Sequence, residues 1–493
     1  MDSNSEIFYR MHAVREVWWQ KYRRQQYKRK RLSLEMIVRK SAREAGREYI
    51  SHCSVAGVKQ IRDPDIGIIE RLIWIALFVV MVASLIKTLM DTKQQTILNP
   101  LIVTMESSTH PISDIDFPAI ALCNVNRISK KSLEALATNI FTQLLESEKQ
   151  PPNEHFPLPP PPWIREKGNV TTLRYVHNYV YQLGYLLDYW WDENTKIDPH
   201  IDELLSPENN TRMLIDIMKE LAPSCEDMLV TCIWAARRIN CSDIFQVRRT
   251  SRGHCCAFNY VLDYDSAKRP SGTIAEVKRQ NVPGYLQGLN ILLDPKIEDY
   301  AYTVSPSLGF KIFLFDPTHF ADPNAGGRVT RRIIEPGQWT YLQLQSVKQF
   351  TTREVKKYPV KTRKCLYHDE DTETFGSLYS YSACIVSCKI KTINTLCKCT
   401  PFFLPTNRDD SVCTLNELRC LNKYKEKLLY LYPTDALITD GLETELEDSL
   451  WCPQCQPDCE FTQHFSKAFN RPLTLAFSEF EDFKEKEHLF ELL

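Results

Sequence analysis

One uncharged segment, Leu72–Ile86, constrains the fold of this 493-residue chain more than any other feature. It reads LIWIALFVVMVASLI, and ten of its fifteen residues are Leu, Ile, Val or Phe. At roughly −0.3 to −0.6 kcal/mol each, these ten favour insertion into a membrane by about −3 to −6 kcal/mol. Residues 68–90 are long enough to span if Arg71 and Lys87 reach the two interfaces. A buried core helix and a signal-peptide core are the alternatives, but a 71-residue leader is too long for a signal peptide.

The charges on the two sides of this segment differ in sign. Residues 1–71 contain sixteen Lys and Arg and nine Asp and Glu, whereas the whole chain has a net charge of −1. Because short segments rich in Lys and Arg stay cytoplasmic, we expect the amino terminus inside and the residues beyond Met90 outside. The basic run Lys28–Arg31 is interpreted as a contact with anionic membrane lipid or as a solvated tail, and not as a nucleic-acid patch.

The cysteines predict the same topology. Cys53 precedes the segment and the other sixteen cysteines follow it, an even number that suits disulfides in an oxidising compartment. Asn169, Asn209 and Asn240 each begin a glycosylation sequon on the side expected to be external. Ten cysteines lie between Cys365 and Cys459, and their close spacing also suits zinc. Since external thiols oxidise, we expect disulfides there, no metal and no cofactor.

The composition predicts a large folded body, because the whole chain has 43% hydrophobic and 25% charged residues, which is typical of globular proteins. The stretch FPAIALCNV predicts a strand at residues 117–125, and the proline-rich residues 151–162 predict an exposed loop. Strand-like stretches separated by Pro and Gly turns follow from about residue 255 to 360. Helical spacing predicts four helices, at residues 129–150, 170–187, 210–221 and 415–431.

Four stretches together carry a resemblance to a known family. They are FPAIALCN (Phe117–Asn124), GHCCAFN (Gly253–Asn259), YSYSACIVSCKIKTINTLCKCTPFFLP (Tyr379–Pro405) and CPQCQPDC (Cys452–Cys459). In sequence and in order they resemble the degenerin/epithelial sodium channel family. The extra cysteines and the loop composition look more like its arthropod pickpocket branch than like its vertebrate members.

The resemblance implies an α+β fold with one amino-terminal transmembrane helix and a disulfide-rich ectodomain. That ectodomain would have a β-rich palm and ball and a helical finger and thumb. The implied divisions are a cytoplasmic segment at 1–67, the transmembrane helix at 68–90, the palm, finger and ball at 91–364, the thumb at 365–459 and a carboxy-terminal palm segment at 460–493.

The resemblance also implies a disulfide pairing, which cysteine spacing alone leaves open. The implied pairs are Cys365–Cys459, Cys384–Cys455, Cys388–Cys452, Cys397–Cys420, Cys399–Cys413, Cys123–Cys255 and Cys232–Cys241. Cys225 and Cys256 remain and are expected to form an eighth bridge. Such a ladder would stiffen the thumb helices, so that a movement at the surface could reach the membrane.

A gating residue and a departure from the family are also implied. The family has a His-Gly pair before its first helix, and its Gly is linked to gating. In this chain Ala56 occupies the His position and Gly57 is kept, so the polar contacts of an imidazole are lost while the backbone freedom remains. After Cys459 the sequence has no apolar stretch longer than a strand, and we expect the family's second transmembrane helix, with its pore residues, to be missing.

The implied function is that of a subunit in a homo- or hetero-trimeric, amiloride-sensitive channel that conducts sodium ions across the plasma membrane. Two alternatives stay open: a non-conducting single-pass subunit that modulates full-length partners, and an adhesion or receptor ectodomain. An enzyme is disfavoured, because the sequence has no P-loop, GxSxG elbow or HExxH motif. The acidic run Asp369–Asp371 suits a solvated loop as well as a stimulus sensor.

Overall fold

The computed structural model describes most of the chain. The described residues are 14–21, 34–54, 57, 61, 65–94, 96, 103–149, 161, 163–166, 168–207, 210–261, 277–284, 286–325, 328–370, 378–406, 410–433 and 438–473. The chain divides into two compact units, Met1–Ile102 and Val103–Leu493, and each is described by itself. Except for Pro161, the expected proline-rich loop lies outside the described residues.

The first unit is helical. Residues 14–21 are helical, α1 is Leu34–His52 and α2 is Ile68–Lys93. Among the described residues, α2 is the one helix whose length and composition suit a membrane crossing. Its 26 residues extend about 39 Å at 1.5 Å per residue, more than the ~30 Å of a bilayer's hydrocarbon core. None of its residues is buried, and a helix that exposes apolar side chains all round requires an apolar solvent such as lipid.

The second unit mixes helices and strands, which confirms the α+β class. Its helices are α3 (Lys130–Lys149), α4 (Trp163–Glu166), α5 (Gly168–Gln182), α6 (Pro199–Leu205), α7 (Met213–Leu221), α8 (Cys225–Met228), α9 (Cys241–Ile244), α10 (Val360–Arg363), α11 (Tyr381–Cys397), α12 (Leu418–Lys423), α13 (Lys425–Leu429) and α14 (Glu443–Glu447). Short 3-10 helices occupy Ile112–Asp114, Leu183–Leu187, Ile297–Asp299, Val355–Lys357 and Leu415–Glu417. Its strands are β1 (Ala119–Asn124), β2 (Asn126–Ser129), β3 (Leu229–Trp234), β4 (Arg237–Ile239), β5 (Phe245–Thr250), β6 (Gly253–Phe258), β7 (Leu289–Leu293), β8 (Tyr300–Thr303), β9 (Phe310–Phe315), β10 (Thr330–Ile334), β11 (Gln338–Gln349) and β12 (Phe461–Pro472).

The largest sheet has five antiparallel strands in the order β10-β9-β1-β6-β5. Both of its faces are covered, because successive residues of a strand point to opposite faces. In β1, Ala121 and Cys123 belong to one apolar cluster, whereas Ile120 and Leu122 belong to another. Three smaller antiparallel sheets are β11-β12, β2-β8 and β4-β3-β7.

A third and larger apolar cluster joins the helices to the cysteine-rich segment. It contains Leu133 of α3, Val176 of α5 and Leu214 of α7 together with Ile393 of α11 and Leu418 of α12. These side chains are all nearly inaccessible to water. The helices between β2 and β3 and the cysteine-rich segment therefore fold as one packed core.

Eight disulfides join all sixteen cysteines that follow α2. Their Cα–Cα distances lie between 4.8 and 6.1 Å, within the range that a disulfide spans without backbone movement. The pairs coincide with those that the family resemblance implies. They are Cys123–Cys255, Cys225–Cys256, Cys232–Cys241, Cys365–Cys459, Cys384–Cys455, Cys388–Cys452, Cys397–Cys420 and Cys399–Cys413.

The helix α11 is fixed along its whole length. Ser380 caps its first turn by accepting a hydrogen bond from the Ala383 amide at 3.2 Å. Cys384 and Cys388 lie one turn apart and bond to the chain that returns at Cys455 and Cys452. The two disulfides therefore stabilise α11 in addition to the stabilisation that its apolar packing provides.

The four predicted helices and the predicted strand at 117–125 are present, and two differences from the prediction stand out. The helix predicted at 415–431 is divided into a 3-10 turn and the short helices α12 and α13. The 12-residue strand β12 was not predicted, because its buried side chains include the polar Thr462, His464 and Ser466. An alternation of apolar and polar residues, the usual sign of a half-buried strand, is therefore weak in this segment.

The two neighbouring bridges on α11 give a prediction about stability. Replacing the cysteines of Cys384–Cys455 or of Cys388–Cys452 by alanine is expected to lower the free energy of unfolding by about 2–3 kcal/mol. Removing both bridges is expected to lower the free energy of unfolding by more than the sum of the two single losses. While one bridge remains, it shortens the ring that the other bridge closes, so the loss of that other bridge costs less. Thermal unfolding of the four proteins measures this coupling.

The bridge Cys232–Cys241 provides the control, because it belongs to a different apolar cluster. Its removal together with either α11 bridge is expected to be additive. Additive losses for the two α11 bridges themselves would contradict the ladder interpretation.

Candidate functional site

The turn before α2 is the first candidate site, and Gly57 lies in it. Gly57 is buried and has a φ of 90°, in the left-handed region that side chains rarely adopt. Its carbonyl accepts a hydrogen bond from the Ile61 amide at 3.2 Å. A Cβ added to Gly57 would lie 3.2 Å from Cε3 of Trp74, a residue of α2. The backbone angle therefore favours glycine, and the packing on α2 leaves little room for a Cβ.

The second candidate site is the junction where the cysteine-rich segment meets the five-stranded sheet. Asp458, next to the bridged Cys459, accepts a hydrogen bond from the Tyr381 amide at 2.8 Å with Oδ1. Its Oδ2 lies 3.4 Å from Nε2 of His319 and 3.8 Å from Nη1 of Arg328. One carboxylate thus connects the first residue of α11 with the loop that follows β9.

The buried charges of this junction stabilise one another. Burial alone lowers the pKa of His319, but the Asp458 carboxylate 3.4 Å away and the charge of Asp316 outweigh burial and raise that pKa. For Asp316, burial raises the pKa, but the charge of His319 and hydrogen bonds from Thr318 outweigh it and lower that pKa. An imidazolium between two carboxylates is therefore the favoured state.

Two further polar contacts attach α11 and the loop after it to the sheet. The Lys389 ammonium lies 3.2 Å from Oδ2 of Asp322, and both side chains are buried. Arg249 of β5 donates hydrogen bonds to the carbonyl oxygens of Phe402 and Leu404 at 3.1 and 2.9 Å. Breaking such a buried pair is costly, because one charge would be left uncompensated.

The structure describes only some of the residues that were singled out from the sequence. Asn240 is exposed at the start of α9, and the backbone of Asn169 belongs to α5. Ala56, Asn209 and Asp371 lie outside the described residues. Asp369 lies 2.7 Å from Lys356 and Glu370 pairs with Arg363, so both acids have cationic partners. The described residues contain no group of three or more side chains suited to a metal.

The junction residues were not found from the sequence. Asp458 and His319 are 139 positions apart, and nothing local pairs them. An ion pair at Lys389 could have been expected, since Lys389 lies between buried positions of α11 and a buried lysine needs a carboxylate. The sequence does not identify Asp322 as that carboxylate.

Gly57 gives a second prediction. Gly57→Ala is expected to open the turn before α2, because a left-handed backbone costs an alanine about 1–2 kcal/mol. This favours the open form by about 5- to 30-fold. Cys53 is the one cysteine outside the eight disulfides, so its rate of labelling by a maleimide reports on this turn.

The matched control is Gly46→Ala, since a Cβ at Gly46 meets no atom within 4 Å and Gly46 lies within α1. Its labelling rate is expected to equal that of the unchanged protein. Equal rates for Gly57→Ala and Gly46→Ala would show that the turn does not depend on glycine.

Comparison with known proteins identifies the family. Residues 49–490 match the family model described as amiloride-sensitive sodium channel. The chain is 23% identical over 384 residues to the sodium channel protein Nach of Drosophila ananassae, and this alignment covers 77% of this chain and 66% of that protein. It is 22% identical over 448 residues to the pickpocket protein 28 of Drosophila melanogaster, covering 83% of this chain and 62% of that protein. It is 22% identical over 360 residues to the acid-sensing ion channel 4-B of Danio rerio, covering 71% of this chain and 48% of that protein.

This chain spans less than two thirds of the length of the first relatives it matches. The similarity to pickpocket and Nach proteins of Drosophila confirms the likeness to the arthropod branch. Because the family match extends over most of its residues, the chain belongs to the amiloride-sensitive sodium channel family, a family of ion channels and not of enzymes.

Proposed function

We propose that this chain is a subunit of a trimeric, amiloride-sensitive channel that conducts sodium ions across the plasma membrane. The observation that carries the proposal is the family match over residues 49–490, which includes the apolar helix α2 and all eight disulfides. The partners in this proposal are membrane lipid, sodium ions and related subunits of the same or another type.

The proposed divisions follow the family. Residues 1–67 are cytoplasmic, 68–90 cross the membrane, 91–364 form the palm, finger and ball, 365–459 form the thumb and 460–493 form a carboxy-terminal palm segment. The basic charge before α2, and the sequons and disulfides after it, support an amino terminus inside the cell.

In this proposal the cysteine-rich segment transmits movement. Disulfides along α11 prevent it from bending, so that a displacement of the segment moves the helix as a whole. The ion pairs at Asp458 and Lys389 then carry the displacement to the five-stranded sheet. Gly57, packed on Trp74 of α2, is the proposed gating residue on the cytoplasmic side.

Glycosylation tests the proposed orientation. Expressed in insect cells, the chain is expected to carry glycans that an endoglycosidase removes, seen as a mobility shift on a gel. Asn240→Gln is expected to reduce that shift by one step, because Asn240 is exposed. A variant with all three sequons removed serves as the baseline. Absence of any shift in the unchanged chain would place residues 103–493 on the cytoplasmic side.

Expression in oocytes tests the proposed activity. We expect trimers containing this chain, detected by cross-linking, and an inward sodium current that amiloride inhibits. The chain is to be expressed alone and together with a pickpocket relative, with the relative alone as the control. A change in the relative's current without any current from this chain alone would support a modulatory subunit. Recovery only as a monomer, with neither current nor partner, would contradict channel function and favour a receptor.

A further inference from the structure

A small cavity in the second unit lies beside the junction of β1 and β2. Its volume of about 10 Å³ is room for one species the size of a water molecule. The end of β1, α7 and the turn between β5 and β6 contribute to its walls. The polar or charged side chains that line it are Asn124, Asn126, Arg127, Arg252 and His254.

Arg127 reaches this cavity because of an irregularity in β2. The pairing of β2 with β8 shifts register between Asn126 and Ile128, so Arg127 has no partner residue opposite it. Such a bulge redirects a side chain. Arg127 is only 6% exposed, and its Nη2 has no hydrogen-bond partner among the described residues. A buried guanidinium in this state is costly unless a further species compensates it.

The surroundings of Arg127 are cationic. Burial and then the charge of Arg252 lower the pKa of Arg127 to about 9. Lys311 is also buried, and burial followed by the charges of Arg127, Arg252 and Arg331 lowers its pKa to about 8. Burial lowers the pKa of Arg252 as well. Burial is the largest cause of each of these shifts, and repulsion by neighbouring arginines adds to it.

The nearest carboxylates are already engaged. Asp322 and Asp188 attract Arg252, but Asp322 pairs with Lys389 at 3.2 Å and Asp188 accepts a hydrogen bond from Tyr302 at 3.1 Å. In the described parts of the chain, neither Arg127 nor Arg252 lies within ion-pair distance of a carboxylate. One further negative charge would therefore complete the site.

We propose that this cavity binds one small monovalent anion, with chloride as its ligand, between the guanidinium groups of Arg127 and Arg252. Water fits the volume but supplies no charge, whereas a monatomic anion supplies one charge in little space. Gly253, with a φ of 87°, keeps the β5–β6 turn tight, and the bridge Cys123–Cys255 holds β6 against β1. The walls of the site are therefore preformed, and binding does not depend on whether the chain conducts.

The test is thermal unfolding of the full chain in detergent, with sodium chloride replaced stepwise by sodium gluconate at constant ionic strength. The unfolding temperature is expected to rise saturably with chloride, as it does for any ligand that binds only the folded state. Bromide is expected to substitute for chloride, and sulfate is not. Arg127→Met is expected to weaken the chloride dependence at least tenfold. Arg237→Met, the same change at an exposed arginine of β4, is expected to leave it unchanged.

Two results would overturn the proposal. One is an unfolding temperature of the unchanged chain that is independent of chloride, which would assign the cavity to water. The other is an equal chloride dependence in Arg127→Met, which would place the anion elsewhere. If Arg127→Met does not fold, Arg252→Met and the chloride-35 NMR line width of the unchanged chain replace it. The unchanged chain is then expected to broaden the chloride-35 line. Bromide is expected to reverse this broadening, and Arg252→Met is expected to abolish it. Absence of the broadening would refute the site.

Discussion

Two consecutive cysteines of β6 form the constraint on which the second unit depends. Cys255 and Cys256 must face opposite sides of the five-stranded sheet, because strand residues alternate. Cys255 is bonded to Cys123 of the neighbouring strand, and Cys256 to Cys225 of α8. One dipeptide thereby fixes the alignment of two central strands and the layer that covers one face. A shift of β6 by one residue would exchange both partners, so the bridges also specify register.

The features that the sequence predicted well are those set by chemistry along short stretches. Fifteen uncharged residues predict a membrane helix, because few other environments accept such a surface. The strands β1 and β9 and the helices α3 and α7 follow from apolar periodicity and from the turns around them. The disulfide partners came from the family resemblance alone, since sixteen cysteines allow very many connectivities and spacing does not choose among them.

The features that the sequence did not predict are pairs of polar residues distant in the chain. His319 approaches Asp458, and Lys389 approaches Asp322, only after the sheet and α11 have packed. β12 was missed for the same reason, since its buried His464 binds Ser346 of β11 at 2.8 Å and so replaces an apolar contact with a polar one. Burial of polar groups is acceptable when each finds a partner, and partners are a property of the fold.

The two buried charged regions of the second unit are compensated in different ways, and this difference has a physical consequence. At the junction, the carboxylates of Asp316 and Asp458 balance the cations His319 and Arg328 within the chain. The side chains of His319 and Asp458 are almost inaccessible to water, so salt has little effect on their interaction. Around Arg127 and Arg252 the described residues place no carboxylate within ion-pair distance of either guanidinium. If the proposed anion site exists, the stability of that region depends on which anions the surrounding solution provides, whereas the attachment of the cysteine-rich segment does not.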